Sequence, residues 1–285
     1  MDFSKLKNVK VEREDGITWV ILNRPEKRNA MSPELHFEMD ETLQFLETDP
    51  QTRCLVLTGA GPAYCAGQDL QKFFRDTEGD RTMRKRAAEA ANRWRWERLY
   101  MYEKPTIAMV NGYCVGGAFM HMVACDFAIA DQEAIFSLSE VNWGALPGSL
   151  VARAVTEAVG YRDAIDICST GRAFTGEEAS RMRLVTKAVP KAKLRDETVA
   201  LAKSLMEKNP VALMQAKRAV RMVRTMDFTQ SYNYLAAMSH QITLFSGTQG
   251  RAQGMKQFLD EKSYKPTFGT YKHDIAEPAP SKGRG

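Results

Sequence analysis

The feature that most restricts this chain is an uncharged run near its middle. From Pro105 to Cys125 there is no Asp, Glu, Lys or Arg, and residues 111–126 read NGYCVGGAFMHMVACD. The run is about long enough to span a bilayer. Pro105, Asn111, Gly112, Gly116 and Gly117 interrupt it, so it predicts a strand at 106–110, a turn at Asn111-Gly112 and a short helix near 117–124, packed in a core. Gly116-Gly117-Ala118 would open that helix. Its first amides lack intrahelical partners and lie at the positive end of the dipole. The missing side chains would let a ligand oxygen approach. Close helix packing explains a glycine pair equally well.

A core of this kind needs a sizeable chain around it. The 285 residues, 44% hydrophobic and 26% charged, suffice for one large domain with an appendage. The net charge of +5 comes from mixed rather than clustered charges, which argues against nucleic acid and fits a phosphate-bearing small molecule or a solvated surface. The five cysteines are scattered without CxxC or Cys/His spacing, so neither a disulfide framework nor a metal site is expected. The first residues, MDFSKLKNVKVERED, contain no apolar secretory segment, and a cytoplasmic location is the expectation.

Strands are expected at 17–22, 53–58, 126–130 and 184–189, short and β-branched or apolar. Leu35, Met39, Leu43 and Leu46 recur at helical spacing after Ser32-Pro33, an N-cap followed by a proline at the first helical position. Further helices are expected near 151–158, 161–169, 176–182 and 193–208. Strands alternating with helices predict an α/β chain with parallel pairing. After Pro210 the pattern is helical only, at 211–224, 228–246 and 248–261. The expected organisation is a core over 1–208, a helical region over 209–262 and an extension over 263–285 whose end, from about 273, is mobile. Residues 75–104 read as an amphipathic helix with a solvated charged face and Trp94, Leu99 and Tyr102 turned inward; a mobile cover beginning at Phe73-Phe74 is the alternative.

A second glycine-rich turn, TGAGPAYCAGQDL at 58–70, also follows a strand and leads to a helix. Two such turns can each offer one free amide to a shared carbonyl oxygen, which is how an oxyanion hole is built.

Five ordered segments carry a resemblance: NRPEKRNAMS (23–32), AGQDL (66–70), NGYCVGGAF (111–119), ACD (124–126) and FSLSEVNWGALPG (136–148). Together they resemble the crotonase, or enoyl-CoA hydratase/isomerase, superfamily. Within it, NRWRWERLYMYEKPTIAMVNGYC, LSEVNWG and GMKQFLDEKSYKP are similar to the hydroxycinnamoyl-CoA (feruloyl-CoA) hydratase-lyases, over about residues 8–266. The resemblance implies a crotonase-like spiral of ββα turns, a helical C-terminal trimerisation region, and a homotrimer or dimer of trimers. It implies an acyl-CoA substrate and no separate cofactor.

By the same resemblance, the amides of Gln68 and Gly117 form the oxyanion hole. CoA runs along Lys27 and Ala30, then Ala66, Gly67 and Leu70, and Asp69, Gly116, Ser139, Trp143 and Gly148 belong to the same substrate-binding set. The side chain of Gln68 is expected in solvent or in a local hydrogen bond. Phe258 and Lys262 are candidates to meet the nucleotide of a neighbouring subunit. Crotonase hydratases often use two glutamates. The first position is Met120 here, where the hydratase-lyases commonly carry serine, and the second is Glu140. Set in an otherwise apolar segment, Glu140 is the expected single acid/base, its pKa raised by desolvation. The tyrosines that recognise the substrate phenol correspond to Phe73 and Ala236, with Tyr232 and Tyr234 close by. His121 is expected in the core or an interface, and Arg183 replaces a customary glycine in a turn. The implied activity is hydration of an aryl-propenoyl-CoA followed by retro-aldol cleavage to an aromatic aldehyde and acetyl-CoA. The alternative is a hydratase or isomerase for another aryl or branched acyl-CoA, without cleavage.

Overall fold

The computed structural model describes residues 1–246 and 249–273. The chain divides into two compact units, one of residues 1–102 and 106–200, the other of residues 103–105 and 201–285.

The first unit is built around two sheets. Ten strands run in chain order: β1 (Val9–Glu14), β2 (Ile17–Leu22), β3 (Cys54–Gly59), β4 (Ala63–Cys65), β5 (Thr106–Val110), β6 (Tyr113–Val115), β7 (Phe127–Asp131), β8 (Ile135–Ser137), β9 (Ala173–Thr175) and β10 (Lys187–Val189). One sheet has the order β1-β2-β3-β5-β7-β10 and the other β4-β6-β8-β9. All pairings are parallel except β1 with β2 and β8 with β9. The strand pairs β3/β4, β5/β6 and β7/β8 each give one strand to each sheet before a helical segment follows. That is a spiral of ββα turns, the fold class expected from the sequence.

Local chemistry explains the elements. The Pro33–Thr48 helix starts where Ser32 Oγ accepts the Leu35 amide at 3.3 Å, and Leu35, Met39, Leu43 and Leu46 are wholly buried along it. Every residue of β3 is buried, as a central parallel strand requires. The 106–110 strand and the Ala118–Ala124 helix lie as expected, but β6 intervenes between the turn and the glycine pair. The expected strand at 126–130 is β7, shifted by one residue. The strand expected over 184–189 is only Lys187–Val189. Arg183 takes a left-handed conformation (φ 65°), and the Leu184 and Val185 amides turn back to the Ala179 carbonyl at 2.9 and 3.4 Å. The 75–104 segment becomes the Arg81–Asn92 helix, capped by Asp80, which widens into a π-helical stretch at Arg93–Arg98. Trp94, Leu99 and Tyr102 are buried as expected.

The second unit holds the helices Pro210–Val223, Phe228–Ser246 and Gln249–Met255 and a π-helical turn at Lys256–Asp260. Asn209 caps the first, its side chain accepting the Val211 and Ala212 amides. Residues 264–272 fold back on this unit: Tyr264 Oη donates to the Gly254 carbonyl, Asn209 Nδ2 donates to Tyr271 Oη, and the Lys272 amide donates to Gln257 Oε1. The tail beyond His273 lies outside the described residues. Among the described residues no helix is long and apolar enough to cross a membrane, and no His/Cys/Asp/Glu group could hold a metal ion.

Candidate active site

Two loops that are distant in sequence are bonded side by side at one edge of the site. The Met31 amide donates to the Gly67 carbonyl (2.8 Å), the Asp69 amide to the Met31 carbonyl (3.0 Å), and the Ala66 amide to the Arg28 carbonyl (2.9 Å). Asn29 pins the first loop, donating through Nδ2 to the Ala60 and Ala63 carbonyls and accepting the Arg24 amide. Arg24 and Asp69 form a buried ion pair at 2.9 Å, and Arg24 also donates to the Ala30 carbonyl. Asp69 Oδ1 caps the Leu70–Arg75 turn by accepting the Lys72 amide. Lys27, Ala30, Ala66, Gly67 and Leu70 are thereby gathered along this edge, with Lys27 and Leu70 exposed. Both oxygens of Asp69 are thus taken, one holding the loops together through Arg24 and the other capping its own turn.

The 67–68 segment meets the glycine pair directly. Gly67 has φ 86°, and a Cβ on it would lie 2.9 Å from the Val115 carbonyl and 3.5 Å from the Gly117 nitrogen. Only glycine permits that approach. Gly116, at φ 57°, donates its amide to the Ser137 carbonyl (3.0 Å) and so turns the chain into the Ala118–Ala124 helix. The amides of Gly117 and Gln68 find no acceptor among the described residues. These are the amides that the resemblance implies for an oxyanion hole, and they lie on abutting residues: a Cβ on Gly117 would be 3.9 Å from Gln68 Cγ and 3.4 Å from Met31 Cε.

Gln68 is anchored in an unexpected way. Its Oε1 bonds His36 Nε2 at 2.8 Å, and Trp94 Nε1 donates to His36 Nδ1 at 2.9 Å. An indole can only donate, so His36 carries its proton on Nε2 and donates to Gln68. Burial, reinforced by the Arg95 charge, holds His36 well below the ordinary imidazole pKa and keeps it neutral. The Gln68 side chain is therefore tied to a residue 32 positions away, and the expected solvent or local role is replaced by a long-range, part-buried hydrogen bond.

Glu140 stands on the other side of the glycine pair. It lies in the first turn of the Ser139–Trp143 3₁₀-helix, which Gly144 closes in the left-handed conformation. Asn142 Nδ2 and Ser137 Oγ both donate to the Gly171 carbonyl, fixing the segment. Glu140 Oε1 would be 2.9 Å from a Cβ on Gly116. Its Oε2 is buried and has no hydrogen-bond partner among the described residues. Burial raises the pKa of this carboxyl, opposed only by its own backbone amide.

The structure thus brings Gln68, Gly67, Gly116, Gly117 and Glu140 together. Met120 is fully buried in the core, as is His121, whose ring lies 5.2 Å from Tyr64 and 5.0 Å from Trp94. Phe73 is buried with its ring edge-on to His36. Ser139 is half-buried, Gly148 is exposed, and Trp143 has 57% of its surface in solvent. Ala236, also exposed, belongs to the second unit, as do Phe258 and Lys262. Sequence reasoning missed His36 and Arg95. Arg95 sits in a segment whose charges read as a solvated face, yet it is buried, with Nη1 3.0 Å from the Cβ position of Gly117. No spacing rule signals either residue.

With this geometry in place, the likeness to known proteins becomes interpretable. The chain is 51% identical over 267 residues to the hydroxycinnamoyl-CoA hydratase-lyase of Pseudomonas fluorescens, covering 93% of this chain and 97% of that protein. It is 31% identical to the (E)-benzylidenesuccinyl-CoA hydratase of Thauera aromatica, covering 91% and 98%. The crystal structure of enoyl-CoA hydratase from Bacillus anthracis superposes with a TM-score of 0.79 at 27% identity, covering 90% of this chain and 97% of that one. Residues 12–270 match the enoyl-CoA hydratase/isomerase family throughout, and the chain belongs to that family.

Proposed function

We propose that this protein is a hydratase-lyase converting a hydroxycinnamoyl-CoA-type thioester, feruloyl- or 4-coumaroyl-CoA, to an aromatic aldehyde and acetyl-CoA. The observation that carries the reading is the half-buried carboxylate of Glu140 against Gly116, one oxygen of which is buried without a partner, beside two abutting residues with free amides. The 51% identity to a hydroxycinnamoyl-CoA hydratase-lyase supports the choice of substrate.

In this reading CoA follows the edge formed by Lys27, Ala30, Ala66, Gly67 and Leu70. The thioester oxygen accepts the Gln68 and Gly117 amides, fixed donors that are most effective where charge develops; losing one such donor typically costs about 3 kcal/mol. Glu140 takes a proton from water as its oxygen bonds the β-carbon. The resulting enolate is protonated at the α-carbon. The β-hydroxyl then releases its proton, the Cα–Cβ bond breaks, and the electron pair moves into an acetyl-CoA enolate held by the same amides. Protonation of that enolate completes the cycle. These steps call for no metal and no redox cofactor.

We also read the protein as a cytoplasmic homotrimer or dimer of trimers: Phe228, Tyr232 and Val220 of the second unit are 87%, 67% and 66% exposed, more apolar surface than one copy needs. A second reading, hydration without cleavage, is favoured by Met120, which cannot donate a hydrogen bond to a β-oxygen where related lyases carry serine. Incubation with 4-coumaroyl-CoA and feruloyl-CoA, with products identified by mass spectrometry, separates the two. Aldehyde with equimolar acetyl-CoA supports the proposal; a stable β-hydroxyacyl-CoA with no aldehyde supports the second reading.

A further inference from the structure

Arg95 is a buried cation without a counter-ion among the described residues. Only 4% of it is exposed, its Nε donates to the Ala91 carbonyl at 3.0 Å, and it forms no ion pair among the described residues. The titratable groups that face it come from three elements and are all neutral. His36 on the Pro33–Thr48 helix and His121 on the Ala118–Ala124 helix are held well below the imidazole range, by burial first and by Arg95 second. The Cys65 thiol on β4 is pushed up to about 12 by burial. Burial brings Arg95 itself down to about 10, which leaves it charged at neutral pH. A charge kept in the interior without a partner is costly unless an anion arrives to meet it.

The guanidinium lies against the candidate oxyanion hole. Nη1 is 3.0 Å from the Cβ position of Gly117, and Gln68 Cγ and Met31 Cε approach the same point. Gln68 and Gly117 carry the two free amides. We propose that Arg95 supplies a fixed positive charge to the oxyanion hole, stabilising the enolate oxygen of the acyl-CoA beyond what two neutral amides provide. The proposal rests on the acyl-CoA reading above. It also explains why no carboxylate among the described residues pairs with Arg95, since a permanent counter-ion would cancel the field at the hole.

The test reads enolate stabilisation apart from turnover. Acetoacetyl-CoA has an acidic α-carbon, and its enolate absorbs in the near ultraviolet. Bound to the parent protein, it should ionise at lower pH than in solution. In Arg95→Gln the apparent pKa of the bound ligand should rise by about one unit, as expected for losing an opposite charge nearby. Arg95→Lys, which keeps the charge, should recover most of the shift. Affinity for acetyl-CoA, a neutral thioester, should be alike in all three, which also verifies that each variant is folded. With 4-coumaroyl-CoA, kcat should fall about tenfold or more in Arg95→Gln with little change in KM. An unchanged enolate pKa in an Arg95→Gln protein that still binds acetyl-CoA would overturn the proposal. Failure of the parent to bind either thioester would overturn the acyl-CoA reading itself, and the role of Arg95 with it.

Discussion

Asp69 and Glu140 are two carboxylates beside the same glycine turns, treated in opposite ways. Both oxygens of Asp69 are taken, one by the Lys72 amide and one by Arg24. Burial pushes its pKa up, but those bonds outweigh the push and hold it below the ordinary 3.8. Glu140 has one buried oxygen with no partner, and burial leaves its pKa above the ordinary 4.5. The difference teaches how the site is divided. A saturated carboxylate ties loops together, whereas an unsatisfied one retains its affinity for a proton.

Exchanging each acid for its amide should therefore give opposite results. The largest effect is expected from Glu140→Gln, which keeps shape but removes the proton carrier: turnover of 4-coumaroyl-CoA should drop by a factor of about 10² to 10⁴. The variant should unfold no more easily than the parent at neutral pH. Near-normal turnover would break the comparison.

Asp69→Asn should act mainly on stability. It leaves Arg24 buried beside a neutral group, and breaking such a pair costs about 3 kcal/mol. The urea midpoint should fall accordingly; an unchanged midpoint would show that Asp69 does not carry the loops.

The pH dependence sharpens the contrast further. The folded pKa of Asp69 is lowered, so its contribution is present above 3.8 and is lost as pH falls through the lowered value. For Glu140 the folded pKa is raised, so its contribution is full below 4.5 and is lost as pH rises through the raised value. Unfolding free energy measured against pH should accordingly lose an acid-side slope in Asp69→Asn and a slope starting above 4.5 in Glu140→Gln. The reverse assignment of slopes would refute the roles given to the two groups.

The smallest effect belongs to a turn remote in sequence from both. Arg183 holds φ 65°, a conformation that costs an L-residue about 1 kcal/mol, so Arg183→Gly should stabilise by somewhat less than that without changing kcat. A loss of stability in thermal unfolding would mean that the arginine side chain contributes more than its backbone strain removes.

Legibility in the sequence followed the length of each signal. Pro33–Thr48 could be read because a capping serine, a proline and four apolar residues at helical spacing agree. The strands β4, β6, β8 and β9 could not, since three residues carry no period. β1 was missed because VKVERE has one buried residue and alternates charge like a surface loop. At the site, the glycine turns and Glu140 were legible through ordered motifs. The bonds from Trp94 to His36 and from His36 to Gln68 were not, because they join positions 58 and 32 apart through the fold alone. Arg95 was hidden by its neighbours, as a single buried charge among solvated ones looks like any other.

The central claim is that Glu140 moves the protons of both hydration and cleavage, and one isotope measurement addresses it directly. 4-Coumaroyl-CoA is turned over in deuterium oxide, and the acetyl-CoA formed is weighed by mass spectrometry. Hydration delivers one deuteron to the α-carbon, and protonation of the acetyl enolate delivers a second. The parent protein should thus release acetyl-CoA carrying two deuterons, and Glu140→Gln should release almost none over the same time. Acetyl-CoA with two deuterons formed at parental rate by Glu140→Gln would contradict the claim, as would a parental product that stops at a singly deuterated β-hydroxyacyl-CoA.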